Sequence, residues 1–280
     1  MLSVSGFAQT DTIKPNEPDT IKVGNFIIIK KDKKTNNNDT TKKTTEQVLI
    51  DIGSSESSSS SHRYHKKVVS TNWLIFDLGF ANWRDKTDYG SAEANAYLIP
   101  YNGRSFTSSD LDLKNVKSTN VNIWFFMQRL SVIKDVVNLK YGLGLQMYNY
   151  RYESNISYKK TPPSITMDTV NFSKNKLAAD YVTIPFMINI NPYPRRREGF
   201  SFSFGISAGY LYSSRNKQIS DERGKQKTKG DFGLDPWRFA YVGEIGLGPV
   251  RVYGSYSINN LYEHGITQYP YAVGLRFSNW

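Results

Sequence analysis

The 280-residue chain has no cysteine and only three histidines. Disulfide frameworks, zinc–thiolate sites, cysteine nucleophiles and lipid-bearing cysteines are thereby excluded. No stretch approaches the ~18 consecutive apolar residues of a membrane-spanning helix, and mean hydropathy is −0.52. A helical membrane protein is therefore excluded as well. A basic segment ahead of MLSVSGFAQTDT is also missing, yet its short apolar stretch, with Gly6 and Ala8 before Gln9, reads as the tail of a secretory signal over residues 1–9. Export across an inner membrane follows from that reading.

Residues 10–70 are poor in apolar side chains and rich in Lys, Asn, Thr, Ser and Asp, as in DKKTNNNDTTKKTT and GSSESSSSS. Such a segment buries too little apolar surface to offset its ordering entropy, and we read it as a disordered extension. Within it KVGNFIIIKK, with TEQVLIDIG after it, fits either short paired strands or transient structure. His62 and His65 in HRYH have metal-ligand spacing, but no carboxylate or thiolate cluster accompanies them, so no metal or cofactor is expected.

What the chain does have is aromatic content, 14%, and a two-residue alternation that runs from about residue 71 to residue 280. In NWLIFDLGFANW, Leu74, Phe76, Leu78 and Phe80 share one face and Ile75, Asp77, Gly79 and Ala81 the other. TNVNIWFFMQRL, VVNLKYGLGLQMYNYRY, LAADYVTIPFMINI, GFSFSFGISAGYLY, PWRFAYVGEIGLG, VRVYGSYSI and YPYAVGLRF repeat the pattern. Eight strands of this length exceed the ~5–6 residues usual in soluble sheets and suit tilted passage through a bilayer. The connections alternate between long polar segments and tight turns such as SVIKD, NPYPRRRE and GP, which puts all the long loops of an up-and-down meander on one rim. Aromatics near strand ends, Trp73, Trp83, Tyr141, Tyr150, Tyr210, Tyr212, Trp237, Tyr271 and Trp280, suit two interfacial girdles. The expected fold is all-β, an eight-stranded antiparallel up-and-down transmembrane β-barrel over residues 71–280.

With the apolar rows outward, the lumen receives Asp77, Lys140, Arg238, Glu244, Arg251 and Arg276, together with Asn122, Gln128, Gln146 and Thr183. Eight strands leave only enough room for packed side chains, so these charges should form a hydrogen-bonded network in place of an open channel. Glu244 and Arg251, flanking the Gly248-Pro249 turn, are the best pair; a narrow pore is the alternative. Catalysis at the loop rim would need a base beside a nucleophile, and only His264, next to Glu263, lies there with no spacing that selects a partner. No enzyme is expected. The net charge of +11 belongs to no nucleic-acid-binding module, and lysine-rich loops are expected to face anionic lipopolysaccharide. Arg195, Arg196 and Arg197, on a short turn, are placed for phosphates or a partner at the opposite rim.

STNWLIFDLGFANW, VNIWFFMQRLSVIKDVVNLKYGLGLQMYNYRYE, ADYVTIPFMINI, SAGYLYSSRNKQ, DPWRFA and YPYAVGLRF together resemble the small outer-membrane β-barrel family of OmpX-like and PorT-like proteins of Gram-negative bacteria. The resemblance covers nearly all of the chain from Asn72 onward. It implies an outer-membrane location with both termini in the periplasm, contacts with outer-membrane lipids and lipopolysaccharide, and insertion by the barrel-assembly machinery through an aromatic-ended signature that registers on Phe277, with Leu275, Val273 and Tyr271 behind it. It does not imply one activity. A structural or interaction role comes first, and an accessory component of a protein-secretion machine, docking periplasmic or secretion proteins, is the alternative.

Overall fold

Alternation of β-branched and aromatic residues with small or polar ones drives the chain into strands whose two faces meet different surroundings. The computed structural model describes Thr20–Val23, Phe26–Ile29 and Ile50–Asp51, and residues 68–193, 199–247 and 250–278. Two units result, Met1–His65 and Lys66–Trp280. In the first, Thr20–Val23 pairs antiparallel with Phe26–Ile29, which pairs with Ile50–Asp51. KVGNFIIIKK and TEQVLIDIG thus each contribute to paired strands. The rest of residues 1–67, and with it most of the segment read as disordered and both His62 and His65, lies outside the described residues.

The second unit is built on eight strands: β1 (Val69–Asp85), β2 (Thr119–Ile133), β3 (Val137–Arg151), β4 (Lys174–Ile190), β5 (Phe200–Ser220), β6 (Trp237–Leu247), β7 (Val250–Ser257) and β8 (Gln268–Phe277). Each pairs antiparallel with its sequence neighbours, and β8 pairs with β1. Every strand therefore has two partners, and the ring closes without an open edge. Proline carries no N–H, and the ladder of β4 with β3 is interrupted at Pro185, between the Thr183–Gly144 and Phe186–Tyr141 pairs.

Burial inverts the order of a soluble protein. Asp77, Lys140, Arg238, Glu244, Arg251 and Arg276 are all buried, whereas Phe76, Leu78, Phe80, Ile184, Phe186, Phe204, Ile206, Tyr241, Ile245, Val273 and Leu275 are exposed. Tight curvature needs glycines on the inner face. A Cβ on Gly144 would stand 2.6 Å from the Trp124 ring, and one on Gly79 would stand 2.6 Å from the Tyr253 hydroxyl. These two positions are vacated so that large inward side chains fit.

The long connections, polar in sequence, carry regular structure of their own. Residues 86–118 carry a short helix, Ala92–Tyr97, and the strand Leu98–Ile99, which pairs with the hairpin Ile156–Lys160/Pro163–Met167. Strand β5 runs 21 residues, beyond its apolar stretch, and turns at the tip into Gly224–Lys229, extending the sheet past the ring. Tyr97, Phe106, Leu111, Tyr152, Ile156, Tyr158, Ile165, Phe232, Leu234, Tyr262 and Ile266 bury one another over the mouth, continuous with Tyr148, Tyr150 and Trp83 of the ring. Trp83 and Tyr150 therefore belong to this interior core and not to the outer girdle. Their parity decides it, because Trp83 lies six residues from Asp77 and Tyr150 ten from Lys140, both even spacings that return the side chain to the inner face. Trp73, Tyr210, Tyr212, Trp237 and Tyr271 do face outward. Trp280 lies outside the described residues.

Candidate functional site

The ring gathers its charges in the half nearer the short turns. β6 places Glu244 three residues before its last residue and β7 starts one residue before Arg251, and the antiparallel register, with Leu247 opposite Val250, sets the two side chains on the same face. Arg251 Nη1 donates to Glu244 Oε1 at 2.8 Å. The expected pair is present but is part of a larger cluster. Lys140 Nζ reaches the same oxygen at 2.7 Å, and Arg276 Nη1 reaches Oε2 at 2.7 Å. Arg276 then clamps Asp77 with both Nε and Nη2, each at 2.7 Å, across the β8–β1 pair that puts these residues directly opposite. Such a fork-on-carboxylate arrangement combines strength with fixed geometry.

Neutral groups complete the cluster. Asp77 Oδ2 also accepts from Asn122 Nδ2 at 3.0 Å and from Trp124 Nε1 at 2.7 Å. Arg251 Nε donates to Ser278 Oγ, and Asn120 accepts from the Tyr253 hydroxyl. The Arg276 guanidinium lies 5.2 Å from the Trp124 ring centroid. Thus Asp77, Lys140, Glu244, Arg251 and Arg276 form one network. Arg238 is the exception: it makes no carboxylate ion pair among the described residues. It lies 4.7 Å over the Tyr148 ring and reaches Gln146 Oε1 and Ser255 Oγ at 3.4 Å each. The expectation that it joins the ion pairs fails because both lumen carboxylates sit deeper, toward the short turns.

The connections over the mouth carry different chemistry. The Tyr152, Tyr158 and Tyr262 hydroxyls are linked in a chain, with Tyr158 and Tyr262 2.7 Å apart, and the Tyr97 hydroxyl donates to the Phe232 carbonyl. Burial pushes the hydroxyls of Tyr97, Tyr152, Tyr158 and Tyr262 up, so that all four stay protonated and able to donate at neutral pH. At the rim, Arg223 grips Asp168 through Nη1 and Nη2 at 2.8 and 3.1 Å. Burial opposes ionisation of Asp168, but hydrogen bonds from Ser157 and Arg223 outweigh it and hold the carboxyl below its ordinary range. Between cap and ion network lies a cavity of about 10 Å³, bordered by Trp124, Gln146, Met187, Tyr253, Ser255 and Arg276. That is room for about one water.

In structure the chain is similar to Ail, the attachment invasion locus protein of Yersinia pestis. The two are 12% identical, with a TM-score of 0.31, over 74% of this chain and 98% of that one. No family model and no curated protein matches the chain.

The remaining sequence candidates do not come together in a site among the described residues. His264 borders an open hollow with Glu93, Tyr97 and Pro163, and no hydrogen bond joins it to a serine or aspartate among the described residues. No group of three or more His, Asp or Glu side chains converges on a metal-sized site among the described residues. Arg195, Arg196 and Arg197 lie outside the described residues. What sequence reading missed is the tyrosine cap, whose only signal is the frequency of Tyr and Phe in segments otherwise polar enough to be loops.

Proposed function

We propose that the protein is an integral outer-membrane β-barrel with a structural or interaction role, non-enzymatic, whose lumen is filled and does not conduct. The observation that carries this is the inversion of burial: a closed ring with Phe, Ile, Leu and Val on its outer face and a fully hydrogen-bonded ion network inside. An apolar outer belt of that extent is unstable in water and is the surface a bilayer requires. Ring closure satisfies every strand edge, the condition for strands to cross lipid. Two barriers in series, the ion network and the tyrosine cap, support the non-conducting reading.

Purified protein in planar bilayers should show no stable conductance steps. Reproducible single-channel currents whose ion selectivity changed in Glu244→Gln or Arg251→Gln would replace the filled lumen by a pore.

A further inference from the structure

Above the outward-facing Tyr210 and Tyr212, the sheet continues and its outer face changes from apolar to basic. The register places Arg151, Lys176, Lys217 and Lys227 directly opposite one another, one on each of four adjacent strands: β3, β4, β5 and Gly224–Lys229. Lys174 and Lys225 flank this row on one side, both opposite Ile219, and Arg215 and Lys229 flank it on the other. Opposed residues in a sheet hold their Cβ atoms only ~5 Å apart, and like charges so placed repel. Neutralisation within the chain is slight. Arg215 pairs with Asp180 at 2.5 Å, and Lys176 donates to Asn149. No ion pair joins Lys174, Lys176, Lys217, Lys225, Lys227 or Lys229 to a carboxylate among the described residues; Asp221 and Glu222 stand at the hairpin tip, beyond the row. Arg151 directs Nη2 to the Ser173 carbonyl at 2.7 Å, and its buried Nε has no partner among the described residues.

The direction of this face identifies the ligand. These cations share the outer face with Val182, Tyr210 and Tyr212, so they point sideways over the membrane and not up into the medium. With ~3.3 Å of rise per residue and a strand tilt of ~45°, Arg215 stands ~7 Å and Lys217 ~12 Å above Tyr212 along the membrane normal. Interfacial aromatics mark the headgroup level, so the row lies in and just above the headgroup layer. Resting on the outer-membrane reading above, we propose that Arg151, Lys176, Lys217 and Lys227, with Lys174, Arg215, Lys225 and Lys229 around them, form a binding face for phosphorylated lipid headgroups in the leaflet at the long-loop rim. Several phosphates on one lipid match a row of evenly spaced cations, and occupancy relieves the repulsion within the row.

The test uses the full chain reconstituted in phosphatidylcholine vesicles containing a fluorescent bis-phosphorylated lipid A or its dephosphorylated form, with energy transfer from protein tryptophan to the labelled lipid as readout. The wild type should enrich the phosphorylated lipid around itself, and the enrichment should fall steeply between 50 and 500 mM salt, conditions chosen at about the range where screening becomes complete. Lys176→Gln/Lys217→Gln/Lys227→Gln should weaken it about 100-fold, since each cation near an anionic surface contributes about fivefold. Lys134→Gln, at the opposite rim, should leave it unchanged. Equal enrichment of the two lipids, equal enrichment by the triple variant, or loss of the signal to equimolar inorganic pyrophosphate in solution would overturn the proposal. If the triple variant does not insert, the comparison of the two lipids and the salt dependence of the wild type still decide. Failure of the wild type itself to become carbonate-resistant in vesicles would overturn the membrane reading together with this one, whereas normal insertion without lipid preference overturns this one alone.

Discussion

Glu244→Ala should destabilise the folded barrel by about 3–5 kcal/mol, because removing one member of a buried ion network leaves buried charges without their counter-charge. Here the loss falls on three cations at once. Lys140 and Arg251 both rely on Oε1, and Arg276 loses its Oε2 contact while keeping Asp77. Reversible urea unfolding in lipid vesicles measures the change. The companion variant Glu244→Leu/Lys140→Leu/Arg251→Leu removes the carboxylate together with the two cations that depend on it, and it should recover most of the lost stability, since a buried ion cluster replaced whole by apolar side chains is often neutral or better. A triple variant as unstable as the single one would show that the network holds the ring by geometry that leucine cannot reproduce.

Ile206→Arg is the second large effect, and it comes from the other face. Ile206 lies near the middle of the apolar part of β5, opposite Phe186 of β4 and Tyr241 of β6, with 54% of its surface exposed. A charge there would sit near the bilayer midplane and should cost about 2–4 kcal/mol. Ser207→Ala, one residue on and facing the lumen, should cost much less, because among the described residues the Ser207 hydroxyl has no hydrogen-bond partner to lose. Equal losses at both positions, measured by the same unfolding assay, would contradict the assignment of faces. In a water-soluble barrel the arginine would be tolerated as a surface residue, so the sign of the contrast separates the two environments.

Much of this arrangement is legible from parity alone. Once Phe76, Leu78 and Phe80 are placed on one face, Asp77 must occupy the other, and the same step puts Lys140, Glu244, Arg251 and Arg276 inside together. Which of them touch depends on the stagger between strands, which spacing along one strand does not reveal. Arg238 shows the difference: it is inward by parity, yet the register leaves it beside Tyr148 and Gln146 and away from both carboxylates. Parity likewise puts Trp83 and Tyr150 on the inner face, and it outweighs their nearness to a strand end.

The cap was not legible in that way. Tyr97, Tyr158, Phe232 and Tyr262 come from four separate connections, Tyr97 at the end of a short helix and Tyr158 in a short strand, so no single period links them. Their burial is a tertiary effect, made when the connections fold over one mouth and exclude water from the rings. The basic extension of β5 was hidden for a related reason. GKQKTK has little intrinsic β-propensity, and it becomes a strand because β5 offers a paired edge beyond the ring.

The most direct test of the central claim, that the apolar outer face meets lipid, exploits the absence of cysteine. Single variants Phe204→Cys, Ile206→Cys, Ala208→Cys and Lys227→Cys, each spin-labelled in the full chain and reconstituted in vesicles, can be compared for collision with dissolved oxygen and with a water-soluble nickel chelate. Labels at 204, 206 and 208 should be reached readily by oxygen and poorly by the chelate, with oxygen access highest near 206, while the label at 227 should show the reverse. Chelate access at 204, 206 and 208 equal to that at 227 would place the outer face of the ring in water and contradict the account.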